Sequence, residues 1–462
     1  MSAEKKSLLA LVGLILVTTA ALAAVGPPAA NHPVAVAVEV VQDKVLQGGD
    51  GKVAAALSLT AAALPMLGDP PQQATDLVIV LDRSGSMEGR KLSDARQAVL
   101  RLLDRLAPDD RLALVSYANG VQTHLALLPM NPSNRYQAAA AVEALSAGGG
   151  TNLGAGLEQG IQLLLHAPAG HRQRRIILIS DGLANQGVTD PEALGRMASA
   201  AVENRFSIST VGVGLDFNEV LMTAIADRGA GHYHFLEDPG VFARVFETEL
   251  QATRQVAAAD VAVRLTLSPG VRLVDAGGYP IAVDGGEATI HPGDLLSGQE
   301  RTIFLTFQVA TETPRQIALG RVQVQYRQRD DIFSLAAPEP LTVACVTDPT
   351  AVTASIKKDA WADQVVQEEF SRLKEEVAAD IRDGDKDRAR ARIQDYAQRQ
   401  ETLNAVVGSQ KVAENLSTDV AGLRQQVDET FAGPPAAVAE KKKQAAKSLQ
   451  YEGYRMRRDK SP

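Results

Sequence analysis

Two apolar runs in this chain each lead into an aspartate. Leu77-Val78-Ile79-Val80-Leu81 precedes Asp82, and Arg175-Ile176-Ile177-Leu178-Ile179-Ser180 precedes Asp181. Short apolar runs of this kind read as buried strands. Between residue 76 and about residue 250, strand patterns alternate with helical ones. Helices are expected over 91–106, 135–145, 153–166, 191–204 and 240–250. Further strands are expected over 111–117, 206–213 and 232–235, with 122–128 as a short antiparallel edge. In the first helix Leu92, Ala95, Val99, Leu102 and Leu106 recur at helical spacing. Such alternation predicts an α/β fold, a doubly wound and mostly parallel sheet covered by helices on both faces. Sheets of this type place their ligand sites at the carboxyl ends of the strands. The loop Asp82-Arg83-Ser84-Gly85-Ser86 falls there. One carboxylate and two hydroxyls make a hard, oxygen-only site, which suits a magnesium-class ion that keeps some of its waters. The loop therefore points to metal-assisted binding rather than to bond-breaking chemistry.

The pattern Asp-x-Ser-x-Ser resembles the metal-ion-dependent adhesion site of von Willebrand factor type A (VWA) domains. Gly148-Gly149-Gly150-Thr151-Asn152-Leu153 resembles that family's Gly-rich segment with its metal-site threonine, and Asp181 matches its last metal-site aspartate. The resemblance implies metal ligation by Ser84, Ser86 and Thr151, directly or through water. It assigns Asp82 and Asp181 to supplying charge. It implies Mg2+ as the ion, with Mn2+ or Ca2+ as alternatives, and a partner's Asp or Glu carboxylate as the last ligand. Arg83 adds a cation nearby, either favouring an acidic ligand or simply solvated. Glu88 and Asp94 read as surface residues. Turn-forming Asp and Ser after any strand explain one such loop. They do not explain three in the family's order.

Other chemistries find little support. The net charge of −8 disfavours nucleic-acid binding. The single cysteine, Cys345, excludes an intramolecular disulfide and any cysteine metal cluster, and reads as a buried thiol. Gly212 and Gly214 lack the rest of a dinucleotide-binding pattern. No Gly-x-Ser-x-Gly elbow surrounds Ser84 or Ser86. His232 and His234 alternate along a strand and can share one face, but the neighbouring sequence supplies no further metal ligand. No catalytic residue is therefore assigned, and the chain is not expected to be an enzyme.

A length of 462 residues predicts about three domains. Residues 1–26 carry Lys5 and Lys6, then an apolar stretch over 8–26 with Ala21-Leu22-Ala23, and read as a signal peptide or a membrane anchor. The bulk of the chain is then exported: periplasmic, on the cell surface, or anchored through residues 8–26. Strand patterns over 32–70 and over 255–346 are expected to form one antiparallel β-sandwich into which the A-type domain, 76–250, is inserted. This layout is similar to that of inter-alpha-inhibitor heavy chains and their bacterial relatives. Trp361, Val365, Phe370, Leu373, Val377 and Ile381 mark the first helix of a bundle over 354–432, with breaks at Gly384 and Gly408. Residues 433–462, with Lys441-Lys442-Lys443 and Arg455-Met456-Arg457-Arg458, read as a solvated basic tail. The expected function is an extracytoplasmic, metal-dependent protein-binding module for adhesion or scaffolding. The alternative is an assembly or maturation factor beside a separate ATPase, since no P-loop is present. A hydrolase comes last, for want of a nucleophile with a base in reach.

Overall fold

The structure, a computed structural model, describes residues 33–63, 74–168, 172–329, 331–337 and 340–458. The N-terminal segment 1–26, with its expected targeting role, lies outside the described residues, as does part of the 32–70 strand region.

The chain opens with β1 (Val34–Val40), β2 (Lys44–Leu46) and β3 (Lys52–Ala61). The A-type domain follows as β4 (Thr75–Asp82), α1 (Arg90–Arg105), β5 (Arg111–Tyr117), β6 (Val121–Pro129), α2 (Pro132–Glu143), α3 (Leu153–Leu165), β7 (Gln173–Ser180), α4 (Pro191–Glu203), β8 (Ser207–Val213), α5 (Glu219–Arg228), β9 (Ala230–Leu236) and α6 (Phe242–Arg254). Its sheet runs in the order β6-β5-β4-β7-β8-β9, parallel except for the β5–β6 edge. The two apolar runs explain this sheet. Alternate residues of β4 enter opposite cores: Leu77, Ile79 and Leu81 pack with α1 and α6, whereas Val78 and Val80 pack with α3, α4 and α5. Full burial of each such side chain stabilises by about 1.5–3 kcal/mol. The chain moves from β4 outward through β5 and later returns to the other side of β4 with β7. The switch point of the sheet is thus at the end of β4.

The sandwich is built from β10 (Val256–Leu267), β11 (Arg272–Ala276), β12 (Ala282–Asp284), β13 (Glu287–Leu296), β14 (Glu300–Gln308), β15 (Arg315–Gln328), β16 (Asp331–Ala336) and β17 (Leu341–Val346) together with β1–β3. Strand β3 pairs along the whole of β14, from Thr60 opposite Glu300 to Lys52 opposite Gln308. Strands β1 and β3 therefore belong to the same sheet as β14, while β2 pairs parallel with β17 in the other sheet, and the A-type domain sits between these segments in the chain. One core, with Leu57, Leu59, Val263, Ile290, Leu305 and Phe307, joins the two sandwich sheets, and Cys345 is buried in it.

Helices complete the molecule: α7 (Pro349–Thr353), α8 (Lys358–Asp363), α9 (Phe370–Asp383), α10 (Lys386–Val407), α11 (Gln410–Glu414), α12 (Ala421–Thr430) and α13 (Pro435–Arg458). The expected first helix is α8 and α9 joined through a π-helical turn, Gln364–Glu369, with all six predicted apolar residues buried. Gly384 and Gly408 end α9 and α10 with φ of 83° and 70°, the left-handed conformation that favours glycine.

Two expectations are corrected. Helix α5 carried no visible periodicity, because Leu221, Met222, Thr223, Ile225 and Ala226 are all buried and leave no polar stripe. Asp227, on the same helix, pairs with Arg457 and Arg458 at 3.2 and 2.6 Å. The basic tail is not all solvated, for 435–458 is the helix α13, largely exposed as far as Gln444 and packed from Ala445 onward. Its cations meet carboxylates from distant parts of the chain: Lys447 reaches Glu219 at 2.8 Å and Arg457 reaches Glu375 at 2.8 Å. Tyr454 is buried against β9, where its hydroxyl accepts from Tyr233 N at 3.0 Å.

Candidate metal centre

Three loops meet at the carboxyl ends of β4 and β7. Asp82 closes β4 and is fully buried. Its Oδ1 accepts from the Ser84 backbone N–H at 2.8 Å, which folds the loop back on itself, and its Oδ2 accepts from Ser180 Oγ at 3.0 Å. Ser84 Oγ and Ser86 Oγ then lie 3.0 Å apart, and Ser86 Oγ donates to Asp181 Oδ1 at 2.8 Å. Ser86 is exposed whereas Ser84 is buried, so the line of oxygens runs from the core to the surface.

The Gly-rich segment clamps this loop from the side. Gly148 N donates to Arg83 O at 2.8 Å, and Gly85 N donates to Gly149 O at 3.0 Å. Thr151 is held by Asn185, whose Oδ1 accepts from Thr151 N at 2.9 Å. A Cβ on Gly182 would lie 3.3 Å from Ser86 Oγ and 3.6 Å from Thr151 Oγ1, so both hydroxyls face the same small space. Asp82, Ser84, Ser86, Thr151 and Asp181 are thus brought together. Arg83 stands at the rim, with Nε donating to Ser116 Oγ at 3.1 Å.

Sequence reading missed Lys91. Its Nζ is 2.6 Å from Asp181 Oδ2, from the first turn of α1. It stands nine positions after Asp82, across loop and helix, with no pattern of its own to mark it. Ser180 and Asn185 were missed as well, although both border a recognised segment.

The donor set fits a divalent cation. Every converging group is oxygen, which suits a hard ion. Asp82 and Asp181 are both buried, and the Lys91 ammonium pairs with Asp181. Burial pushes the Asp82 carboxyl up, and the charge of Asp181 adds to this, while hydrogen bonds from Ser84 and Ser180 oppose it. A bound cation relieves both raising effects. No base other than these carboxylates contacts Ser84 or Ser86 among the described hydrogen bonds.

Residues 76–248 match the family model of the von Willebrand factor type A domain. An uncharacterised protein of Synechocystis is 29% identical over 289 residues, 59% of this chain and 66% of its own length. The uncharacterised protein YfbK of Escherichia coli is 33% identical over 198 residues, 42% of this chain and 34% of its own. Inter-alpha-trypsin inhibitor heavy chain H3 of Mesocricetus auratus is 34% identical over 178 residues, 37% of this chain and 19% of its own. The chain thus spans from about a fifth to just under two thirds of these relatives. Among solved structures, the von Willebrand factor type A protein from Catenulispora acidiphila covers 90% of this chain and 96% of its own, with a TM-score of 0.68 at 21% identity. The ArnB paralog VWA2 from Sulfolobus acidocaldarius covers 91% and 99%, with a TM-score of 0.54 at 15% identity. Both likenesses concern the fold. Domains of this family are in general protein-interaction modules and commonly bind a divalent metal. Family match, relatives and fold agree: residues 76–248 are a von Willebrand factor type A domain, carried here on a β-sandwich with a helical region behind it.

Proposed function

We propose that this chain is a metal-dependent protein-binding module whose VWA domain holds a magnesium-class ion and, through it, a carboxylate of a partner. The carrying observation is the chain of oxygens from buried Asp82 through Ser84 and exposed Ser86 to Asp181. Asp82, Ser84, Ser86, Thr151 and Asp181 hold the ion. When bound, it supplies an electrophilic position for an incoming carboxylate oxygen. The residues of the chain do the rest: Asp82 fixes the loop through the Ser84 N–H, Asn185 positions Thr151, and Lys91 balances Asp181. In this reading the site binds rather than catalyses. The module works outside the cytoplasm, a placement supported by the basic and then apolar character of residues 5–26.

Selection from a displayed random-peptide library on the immobilised full chain tests this. With Mg2+ present, the enriched peptides should share an Asp or Glu, and they should be released by chelator and by Asp82→Ala. Enrichment without an acidic residue, or binding indifferent to chelator, would sink the proposal.

A further inference from the structure

A second cluster lies at the other end of the same domain. His232 and His234 stand two apart on β9 and so project to one face. Helix α6 brings Glu249 beneath them. His232 Nδ1 is 3.0 Å from Glu249 Oε1, and His234 Nε2 is 2.8 Å from the same oxygen. All three ligand atoms lie within 4.8 Å of one another. This is the third ligand that the sequence around the histidines did not supply.

We propose that His232, His234 and Glu249 form a second cation site, one that takes a transition-metal dication of the zinc class. Three features carry this. First, the ligand set is two imidazole nitrogens and one carboxylate oxygen, which suits zinc and not the hard, oxygen-seeking magnesium. Second, the carboxylate is oriented from behind. Glu249 Oε2 accepts from Arg175 Nη1 at 2.6 Å and from Ser209 Oγ at 2.8 Å, which leaves Oε1 aimed at the two rings. Such outer partners fix the geometry of built metal sites. Third, the cluster opens on a cavity of about 120 Å³ that leaves room for a fourth ligand such as water.

Two of the three ligand separations are near those of a bound zinc. Ligand atoms around a tetrahedral zinc stand about 3.3 Å apart, as bond lengths near 2 Å require. The two observed separations widen by only a few tenths of an ångström. Metal ligation requires His232 Nδ1 and His234 Nε2 to face the ion without a proton, which leaves any ring proton on the outer nitrogen. The charge of Arg175 is shared with Asp294, 3.6 Å from its Nη2, so the ion does not face it alone. Arg175 and Ser180 lie five residues apart on β7, about 17 Å along the strand. The two sites are thus separate, and a metal here ties β9 to α6 at the seam with the sandwich.

Metal-stripped full chain, titrated with Zn2+ by calorimetry and with Co2+ by visible absorption, decides the matter. The wild type and an Asp82→Ala, Ser84→Ala variant should each bind about one equivalent of Zn2+, undisplaced by excess Mg2+. Co2+ should show the intense band of tetrahedral nitrogen and oxygen ligation. A His232→Ala, His234→Ala variant should bind at least about 10-fold more weakly. His232 alone is a safe second variant, because its side chain is 34% exposed and its loss threatens the fold least. Zinc binding no tighter in wild type than in the histidine variants, or binding lost in the Asp82 variant instead, would overturn the proposal.

Discussion

At the scale of single residues, Asp181 divides its two oxygens. Oδ1 takes the Ser86 hydroxyl and Oδ2 takes the Lys91 ammonium. A cation entering the loop cluster shares Asp181 with Lys91, and like charges a few ångströms apart repel. Lys91→Gln should therefore tighten Mg2+ binding, by about 10-fold once partial exposure of the lysine is allowed for. Weaker binding in that variant, measured by calorimetry, would mean that Lys91 chiefly orients Asp181. The five proposed ligands were legible because each sits in a loop straight after an apolar strand or in a Gly-rich turn. Lys91 and Glu249 were not, because their partners are set by how helices α1 and α6 lie on the sheet. Spacing along the chain carries no trace of that.

At the scale of elements, the π-helical turns are the irregularities of the helical region. Tyr396 Oη lies 3.2 Å from Val365 O in the first, Gln364–Glu369, and from Asn415 Oδ1 in the second, Asn415–Val420, between α11 and α12. The first turn also buries Glu368. Burial, with Asp275 adding to it, pushes this carboxyl up to about 8 although Arg372 pulls the other way. The folded state thus holds a proton that the unfolded chain has released above its ordinary carboxylate range. Stability from this group is present at low pH and is lost as pH rises from about 4.5 to about 8. The slope is at most about 1.4 kcal/mol per pH unit. Glu368→Gln should flatten it, which urea unfolding of both proteins across that range will show. An equal slope in the variant would place the proton elsewhere. Helix α5 and the edge strands β11, β12 and β16 were illegible at this scale for opposite reasons. One is buried on too many sides to show a stripe, and β12 is exposed at every residue.

At the scale of the molecule, helix α13 ties three parts together. Lys447 and Arg458 pair with Glu219 and Asp227 of the VWA domain, and Arg457 pairs with Glu375 of the helical region. The Arg458 guanidinium also lies 3.2 Å over the ring of Tyr279 from the sandwich. A run of cations reads as a solvated tail until its distant carboxylates are known, which is why its docking could not be read from the sequence. The doubly wound sheet, by contrast, was plain from two apolar runs and the alternation around them. Mounting the VWA domain on a sandwich braced by α13 leaves Ser86 exposed at the carboxyl ends of the strands. The most direct test of that account is calorimetric titration of Mg2+ into the metal-stripped full chain and into its Asp82→Ala, Ser84→Ala variant. Saturable binding near one equivalent, absent from the variant, is the expected result; no binding to the wild type, or equal binding to both, would contradict it.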